Sequence, residues 1–288
     1  MIPRPARRGR AFLAHGAAAK AARRLNRASG VIALSVLLDS AIEHYRGSFH
    51  NKAMVAPLLS AAASLAAGVH GSVERRHGAH PVRDAAYAAT GLVALIGTAF
   101  HIYNIGKRPG GFGAQNLFYS APIGAPAALM ISGALGFLAE RTRDNAPGAA
   151  PTIAGLPAGR ALAGATGVGL IGTVGEAGLL HLRGAYHDPF MFLPVTVPPA
   201  AAVLLGAAAL RPGGRDLWFT RNWLRFTALV GLAGSAFHVI GVARNMGGWR
   251  NWRQNLLAGP PIPAPPAFTG LALAGLAALG LMGDRPDG

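Results

Sequence analysis

The pattern H-x-R-G-x-x-H occurs twice in the sequence, each time at the end of an apolar stretch. The first copy runs from His44 to His50 and the second from His181 to His187, 137 residues later. Imidazole nitrogens are common ligands for transition metals and haem iron. The arginine inside each pattern adds a planar cation that can form two hydrogen bonds with one carboxylate or phosphate. The two copies are therefore candidate sites for a metal ion or an anionic cofactor.

Further polar residues repeat at nearly the same spacing. The stretch GTAFHIYNIGKRPGGF from residue 97 matches GSAFHVIGVARNMGGW from residue 234, which pairs His101 with His238. After an insertion of two residues, QNLFYSAPIGAPA from residue 115 matches QNLLAGPPIPAPP from residue 254. The other matched polar pairs are Asp39 with Glu176, Arg46 with Arg183, Gln115 with Gln254, and Asn116 with Asn255. A register that is kept across separated polar residues indicates an internal duplication.

The composition of the chain is typical of a membrane protein. Of its 288 residues, 51% are hydrophobic and 13% are charged, whereas soluble domains carry about 25% charged residues. Its 40 glycines and 21 prolines lie within apolar stretches, which is typical of membrane helices and not of disordered segments. There is no cysteine, which excludes disulfides, thiolate metal sites, iron–sulfur clusters and thiol nucleophiles. We therefore expect an all-α polytopic integral membrane protein.

Eight apolar segments are long enough to cross a bilayer, which requires about 20 helical residues. They lie at roughly residues 29–45, 53–70, 84–103, 120–140, 161–182, 190–210, 222–243 and 266–283. Four spans fall in each copy of the duplication, and an even number gives both copies the same orientation in the membrane. The predicted fold is therefore two parallel, same-topology four-helix repeats. Its predicted parts are a basic N-terminal segment (1–28), the first repeat (29–144), a cytoplasmic linker (145–160) and the second repeat (161–284).

The Lys and Arg residues are distributed unequally between the two sides of these spans. Nineteen of the 27 fall on the side that holds both chain termini, and eight of those lie in the N-terminal segment. Positive residues are retained in the cytoplasm, so both termini are predicted to be cytoplasmic in a cell inner membrane. The N-terminal segment either lies on the anionic lipid leaflet or forms a positive tail that only fixes the topology. Because the net charge of +16 is then explained by topology, no nucleic-acid partner is expected.

This topology gathers six histidines at the outer membrane surface, three from each repeat. The two trios are His44, His50 and His101, and His181, His187 and His238. These imidazoles are predicted to hold a haem b or a divalent iron, copper or zinc ion, either one in each repeat or one at a centre shared by both. Asp39 and Glu176 lie five residues deeper in their spans and are predicted as further metal ligands or as groups that orient a ligand histidine. The alternative is that each histidine is an ordinary residue of the membrane–water interface.

The other repeated residues are candidate cofactor contacts. Arg46 and Arg183 are suited to haem propionates, to the headgroup region of a quinone or to lipid phosphate. Two interpretations also stand for the repeated amides, which either coordinate a substrate or cap backbone groups freed by the neighbouring prolines. The amides are Gln115, Asn116, Gln254 and Asn255.

Several functions fit this arrangement. The favoured one is a redox subunit that passes electrons between an extracytoplasmic redox protein and the membrane quinone pool. A transporter or metal-handling permease would instead use the same imidazoles and carboxylates to line an outward cavity. A membrane metalloenzyme would use its metal as a Lewis acid or oxygen activator, and a non-catalytic scaffold would need no cofactor. The residues alone leave open whether the chain is an enzyme.

Overall fold

The computed structural model describes residues 6–145, 149–210 and 217–283, with side chains from residue 16 onward. Within these residues the chain is helical except for one short hairpin and the connecting turns. The α-helices are α1 (Ala6–Arg46), α2 (Ala56–Val73), α3 (Pro81–Gly106), α4 (Ala114–Tyr119), α5 (Gly124–Arg143), α6 (Ala158–Arg183), α7 (Leu193–Leu210), α8 (Trp218–Arg244), α9 (Trp252–Ala258) and α10 (Pro266–Gly283). One-turn 3-10 helices lie at Lys52–Val55, Pro189–Phe192 and Gly248–Asn251. Strands β1 (Thr152–Ile153) and β2 (Leu156–Pro157) pair antiparallel in the predicted linker.

Seven helical segments of the described residues are long and apolar enough to cross a membrane. They are Gly16–Arg46, Lys52–Val73, Pro81–Gly106, Ala158–Arg183, Pro189–Leu210, Trp218–Arg244 and Pro266–Gly283. The chain is therefore a multi-pass helical membrane protein, as its composition predicts. The eighth predicted span corresponds to α5, which is 20 residues long. It falls outside this set because Glu140, Arg141 and Arg143 occupy its last turn and lower its mean hydropathy.

The order of elements is the same in the two halves of the chain. A long helix, a 3-10 turn, two more helices, a short helix and a final helix follow one another in each half, although only the second half has an additional 3-10 turn before its short helix. Both ends of α7 lie 137 residues after the corresponding ends of α2. The final helices, α5 and α10, are offset by a few residues more at both ends.

The interior of the bundle is formed mainly by α1, α5, α6 and α10. Helix α1 packs against α2, α5 and α10, and α10 packs in turn against α6 and α8. Fully buried leucine and isoleucine side chains fill this interior, including Leu25, Ile32, Leu129, Leu162 and Leu271. The peripheral helices instead expose large apolar side chains such as Leu92, Val203 and Leu229. This distribution is expected where lipid covers the outer helices.

Helix α1 is continuous across residue 28, where the sequence predicted a boundary between a basic segment and the first span. Ala22, Leu25 and Ala28 lie on one face of this helix at spacings of three and are completely buried. Arg24 and Arg27 lie on another face and are exposed. The basic pattern therefore marks one side of a packed helix, because apolar residues three or four apart share a face. The parts of the predicted N-terminal segment and linker at residues 1–5 and 146–148, the side chain of His15, and Arg211, Arg215 and Arg285 lie outside the described residues.

Candidate functional site

Two repeated histidines make the same hydrogen bond at equivalent helix ends. His44 lies near the end of α1, and its Nδ1 is 2.6 Å from the carbonyl oxygen of Met54. His181 lies near the end of α6, and its Nδ1 is 2.9 Å from the carbonyl oxygen of Met191. Both carbonyls belong to the 3-10 turns that follow. Each bond therefore fixes a long helix to the start of the next one.

A tight reversal of the chain makes this bond possible in both copies. Two consecutive residues adopt the left-handed conformation, with φ between 45° and 59°, namely Ser48 and Phe49 in the first copy and Ala185 and Tyr186 in the second. Residues other than glycine rarely adopt this backbone conformation. The 3-10 turn is then capped by Asn51 or Asp188, whose side-chain oxygen accepts a hydrogen bond of 2.9 Å from the N–H two residues later. The two copies thus share an unusual backbone as well as a sequence pattern.

The second pair of helix-borne histidines is also held by backbone carbonyls. His101, near the end of α3, hydrogen-bonds through Nδ1 to the carbonyl oxygen of Pro122. His238, near the end of α8, makes the equivalent bond to Pro261 at 2.7 Å. Both prolines lie in the non-helical segments that lead into α5 and α10. The imidazoles therefore fix the entry of the chain into the final helix of each half.

The two loop histidines have a different environment. His50 and His187 are exposed, and their Nδ1 atoms lie 3.1 and 3.0 Å from the carbonyl oxygens of Gly47 and Gly184, three residues earlier. These bonds stay within one turn of chain and join no separate elements. The loop histidines are thus the less constrained members of the two predicted trios.

The hydrogen bonds determine which ring nitrogen of each helix-borne histidine is free to bind a ligand. A backbone carbonyl only accepts hydrogen bonds, so Nδ1 must carry the proton in these rings. Nε2 of the neutral ring then keeps its lone pair. A hydrogen bond from one ring nitrogen to a backbone carbonyl is the usual way in which proteins orient a histidine whose other nitrogen binds a metal.

The helix-borne histidines are close to each other within each half. His44 lies within electrostatic range of His101, and His181 lies within electrostatic range of His238. Among the described residues, no group of three or more His, Asp or Glu side chains is placed to hold one metal ion. The structure therefore brings together a pair in each half, and the ligand role of all six histidines stays a prediction.

The two predicted carboxylates, Asp39 and Glu176, are half-buried and interact electrostatically across the junction of the two halves. The Glu176 side chain lies against the backbone of Gly124, at the start of α5. A Cβ atom on Gly124 would lie 2.5 Å from Cγ of Glu176, so only glycine fits there. The matching position in the second copy is Pro263, which carries a ring where Gly124 has no side chain. The two carboxylates are thus equivalent in sequence but not in environment.

The repeated arginines connect the two halves reciprocally. Nη1 of Arg46 in the first half donates to the carbonyl oxygen of Leu257 in α9 at 3.3 Å. Nη1 of Arg183 in the second half donates to the carbonyl oxygen of Phe118 in α4 at 3.1 Å. Leu257 and Phe118 are matched residues of the repeated QNL stretches. Each arginine therefore satisfies a carbonyl in the last turn of the other half's short helix, where intrahelical donors are missing. Arg46 also forms an ion pair with Glu43.

The repeated asparagines close the glycine turns that precede the short helices. Nδ2 of Asn116 donates to the carbonyl oxygen of Gly111 at 2.7 Å, and Nδ2 of Asn255 donates to that of Gly248 at 2.8 Å. This geometry corresponds to the backbone-capping interpretation of these amides. The adjacent Gln115 and Gln254 side chains are exposed, and their predicted contact with a substrate stays a prediction.

A buried ionic cluster at the opposite end of the first half was missed by sequence reasoning. The Arg83 guanidinium binds the Glu140 carboxylate through Nη2 and Nε, at 2.8 and 3.0 Å. The same carboxylate accepts hydrogen bonds from the backbone N–H of His80 at 3.0 Å and from Nδ2 of Asn26 at 3.4 Å. Arg143 lies beside it and donates to the carbonyl oxygens of Gly71, Glu74 and Arg76. The carboxylate is therefore surrounded by cationic groups and hydrogen-bond donors from α1, from α3 and the residue before it, and from α5.

The cluster extends into the core through hydroxyl and amide groups. The Tyr87 hydroxyl donates to Oδ1 of Asn26 at 2.6 Å. One turn further along α1, Ser29, Ser64 and Ser132 lie within 3.3 Å of one another through their hydroxyl oxygens. These side chains are all buried, and buried polar networks are stable only when their members are satisfied.

The second half has no such cluster at the matched positions. With the register of the repeated QNL stretches continued to the helix end, Glu140 corresponds to Leu279 and Ser132 to Leu271. Tyr87 corresponds to Leu224, and all three leucines are buried. Polar residues of the first copy that match apolar residues of the second were therefore the sequence signal for this cluster.

Comparison of the chain with models of protein families, with curated proteins and with solved structures finds no significant match.

Proposed function

We propose that the chain is an eight-span redox subunit of the cell inner membrane, built from two parallel four-helix repeats with both termini in the cytoplasm. Each repeat would bind one cofactor, a haem b or a divalent metal ion, at the outward face. Electrons would pass between an extracytoplasmic redox protein and membrane quinone. The matched order of helices supports the repeats, and the excess of Lys and Arg on one side supports the orientation.

The observation that carries the proposal is the hydrogen bond that four helix-borne imidazoles have in common. In His44, His101, His181 and His238, Nδ1 is bonded to a backbone carbonyl and Nε2 is left as the ligand atom. The two such rings of each repeat lie within electrostatic range of each other. Two imidazoles are the complete axial ligand set of a bis-histidine haem, so no third ligand is needed.

The residues around each pair would divide the remaining tasks. A bound haem or metal supplies one-electron transfer, while the 3-10 turns and the proline-containing segments keep the imidazole rings oriented. Arg46 donates to the other half's carbonyl and to the Glu43 carboxylate, and Arg183 donates to the other half's carbonyl. Both guanidinium groups are exposed and have further N–H donors for an anionic group. A non-haem metal ion needs additional ligands, for which His50, His187, Asp39 and Glu176 are the candidates.

An absorption spectrum of the detergent-purified protein, taken with elemental analysis, tests this proposal. A Soret band with about two haems per chain supports haem binding, and bound iron, copper or zinc without that band supports a metal centre. Protein that is produced with haem and metal supplied, and that contains neither, would contradict the redox function.

A transporter is the second candidate, and the carboxylate pair favours it. Asp39 belongs to one repeat and Glu176 to the other, and the two carboxylates lie within electrostatic range of each other. Transporters built from repeats bind their substrates and coupling ions at the interface between the repeats. The test is cation or proton flux into liposomes that contain the purified protein. Flux that is abolished by Asp39→Asn and Glu176→Gln, in protein free of haem and metal, would replace the redox proposal.

A further inference from the structure

A cavity of about 280 Å³ opens between α1, α8 and α10, at the end of the bundle opposite the repeated histidines. It is lined by Arg24, Arg221, Arg225, Leu276 and Gly280. Gly280 lies one turn before the end of α10, and a Cβ atom added there would meet nothing within 4 Å. The cavity therefore combines three guanidinium groups with an unfilled surface on α10.

The three arginines are held in place by neutral groups. Nη1 of Arg24 donates to the carbonyl oxygen of Leu276 at 3.0 Å, and Nη2 of Arg221 donates to that of Leu279 at 3.2 Å. Nη1 of Arg225 donates to Oδ1 of Asn222 at 2.9 Å. A guanidinium has five N–H donors, so each of these groups keeps donors for a further acceptor.

The positive charge in the cavity is concentrated. Arg24 interacts electrostatically with Arg221 and Arg225, and also with the neighbouring Arg27. In the part of the chain that the structure describes, none of these four arginines forms an ion pair with a carboxylate. Like charges repel one another, and an anion bound between these guanidinium groups would offset the repulsion.

The position and size of the cavity indicate which anion. It lies near the ends of spanning helices, at the level where phospholipid headgroups meet a membrane protein, and basic pockets between such helices bind anionic headgroups. Its volume is slightly below the about 300–1,000 Å³ of sites that enclose a drug-sized ligand, which suits a small anionic group. Arginine binds phosphate through two parallel hydrogen bonds. Phe226 and Leu229 follow Arg225 on α8, are exposed and could contact acyl chains.

We propose that this cavity binds a phosphoryl group, either the phosphodiester of an anionic phospholipid or a free phosphate. The proposal is independent of the cofactor assigned to the histidines. It predicts that binding depends on the charge of Arg24 and Arg225 and on the open space beside Gly280.

Lipid binding can be measured by native mass spectrometry of delipidated protein titrated with dioleoyl-phosphatidylglycerol, with dioleoyl-phosphatidylcholine as the neutral comparison. Arg24→Gln and Arg225→Gln are each expected to weaken phosphatidylglycerol binding about tenfold, which is about 1.4 kcal/mol. Gly280→Leu is expected to weaken it similarly, because the new side chain fills the cavity without changing the charge. A second arm measures the shift of the unfolding temperature by inorganic phosphate in lipid-free detergent.

Matched controls separate this site from general effects of charge and volume. Arg75→Gln removes an exposed arginine from the loop between α2 and α3. Gly164→Leu adds the same volume at a glycine of α6 whose Cβ would also meet nothing within 4 Å. Both should bind like the unmodified protein. If the cavity variants weaken binding of phosphatidylglycerol, the phosphoryl group belongs to a lipid. If they weaken only the effect of inorganic phosphate, the ligand is a free anion. The proposal is overturned if neither ligand distinguishes the cavity variants from their controls.

Discussion

Arg83 and Glu140 form a two-point ion pair inside the first half of the bundle, where their side chains are 3% and 0% exposed. The pair joins α3 to α5, and the matched position of Glu140 in the second half holds Leu279. One half of the protein is therefore held together by buried charge at a level where the other half uses apolar packing. This difference leads directly to a test of stability.

Glu140→Gln should destabilise the protein by about 3–5 kcal/mol, because it leaves the buried Arg83 and Arg143 without their counter-charge. The combined change Glu140→Leu, Arg83→Thr and Arg143→Met copies the matched residues of the second half. It should cost less than Glu140→Gln alone, since a buried ion pair replaced as a whole leaves no unpaired charge. Unfolding in detergent measures both, and a larger loss in the triple variant would contradict this account.

The histidines should differ in their effect on cofactor content. His44→Ala or His101→Ala should remove about half of the bound haem or metal, because the second repeat keeps its own imidazole pair. His50→Ala should do so only if the cofactor is a non-haem ion, since a bis-histidine haem does not need the loop ligand. Soret absorbance or metal content per chain is the measurement, and His77→Ala, between α2 and α3, is the control. Equal losses in His77→Ala and His44→Ala would rule out the proposed ligands.

The reciprocal arginine contacts should contribute to the joining of the two halves. Arg183→Ala removes the hydrogen bond to Phe118, and we expect it to lower the free energy of unfolding by about 0.5–1 kcal/mol. The effect is small because the side chain is exposed and water competes for the same hydrogen bond. Arg46→Ala should have a similar effect through Leu257. Thermal unfolding compared with Arg108→Ala, an exposed arginine after α3, checks both. An effect no larger than that of the control would show that these contacts are incidental.

Gly136 makes room for the aromatic ring of Tyr87, which a Cβ atom on Gly136 would overlap. Gly136→Ala should therefore destabilise the bundle by about 1–3 kcal/mol through overpacking. Gly91→Ala, at a helical glycine whose Cβ would meet nothing within 4 Å, should leave stability unchanged or raise it. Unfolding curves of the two variants test the contrast, and equal effects would contradict the assigned packing.

The membrane orientation can be tested with reporter fusions. Fusions placed after Lys52 and after Arg253 should both report an extracytoplasmic position if the chain has eight spans and cytoplasmic termini. Both sites lie in short segments that follow outward-running helices of the proposed topology. A cytoplasmic signal at either site would contradict the topology and the common level of the six histidines.

The sequence by itself determined the helical membrane class and the correspondence between the two copies. Apolar segments of about 20 residues have few alternatives to a spanning helix, because the backbone must satisfy its own hydrogen bonds in lipid. The bounds of α10 agree with the predicted span 266–283. Helix α5 begins four residues after the predicted start of its span, and α1 begins at Ala6, well before the predicted start at residue 29. Helix ends are set by capping and packing partners, which hydropathy does not describe.

Only the tertiary structure decided what the repeated polar residues contact. The sequence placed His44 and Arg46 beside each other, but the fold directs the imidazole to the following turn in its own half and the guanidinium to α9 in the other half. It also placed Glu140 among three donor groups from residues that are 57 to 114 positions away in sequence. Such contacts depend on how the helices cross and rotate, and a pattern of residue types along one chain carries no information about those angles. The sequence could therefore nominate the residues, and the packing of the helices assigned their partners.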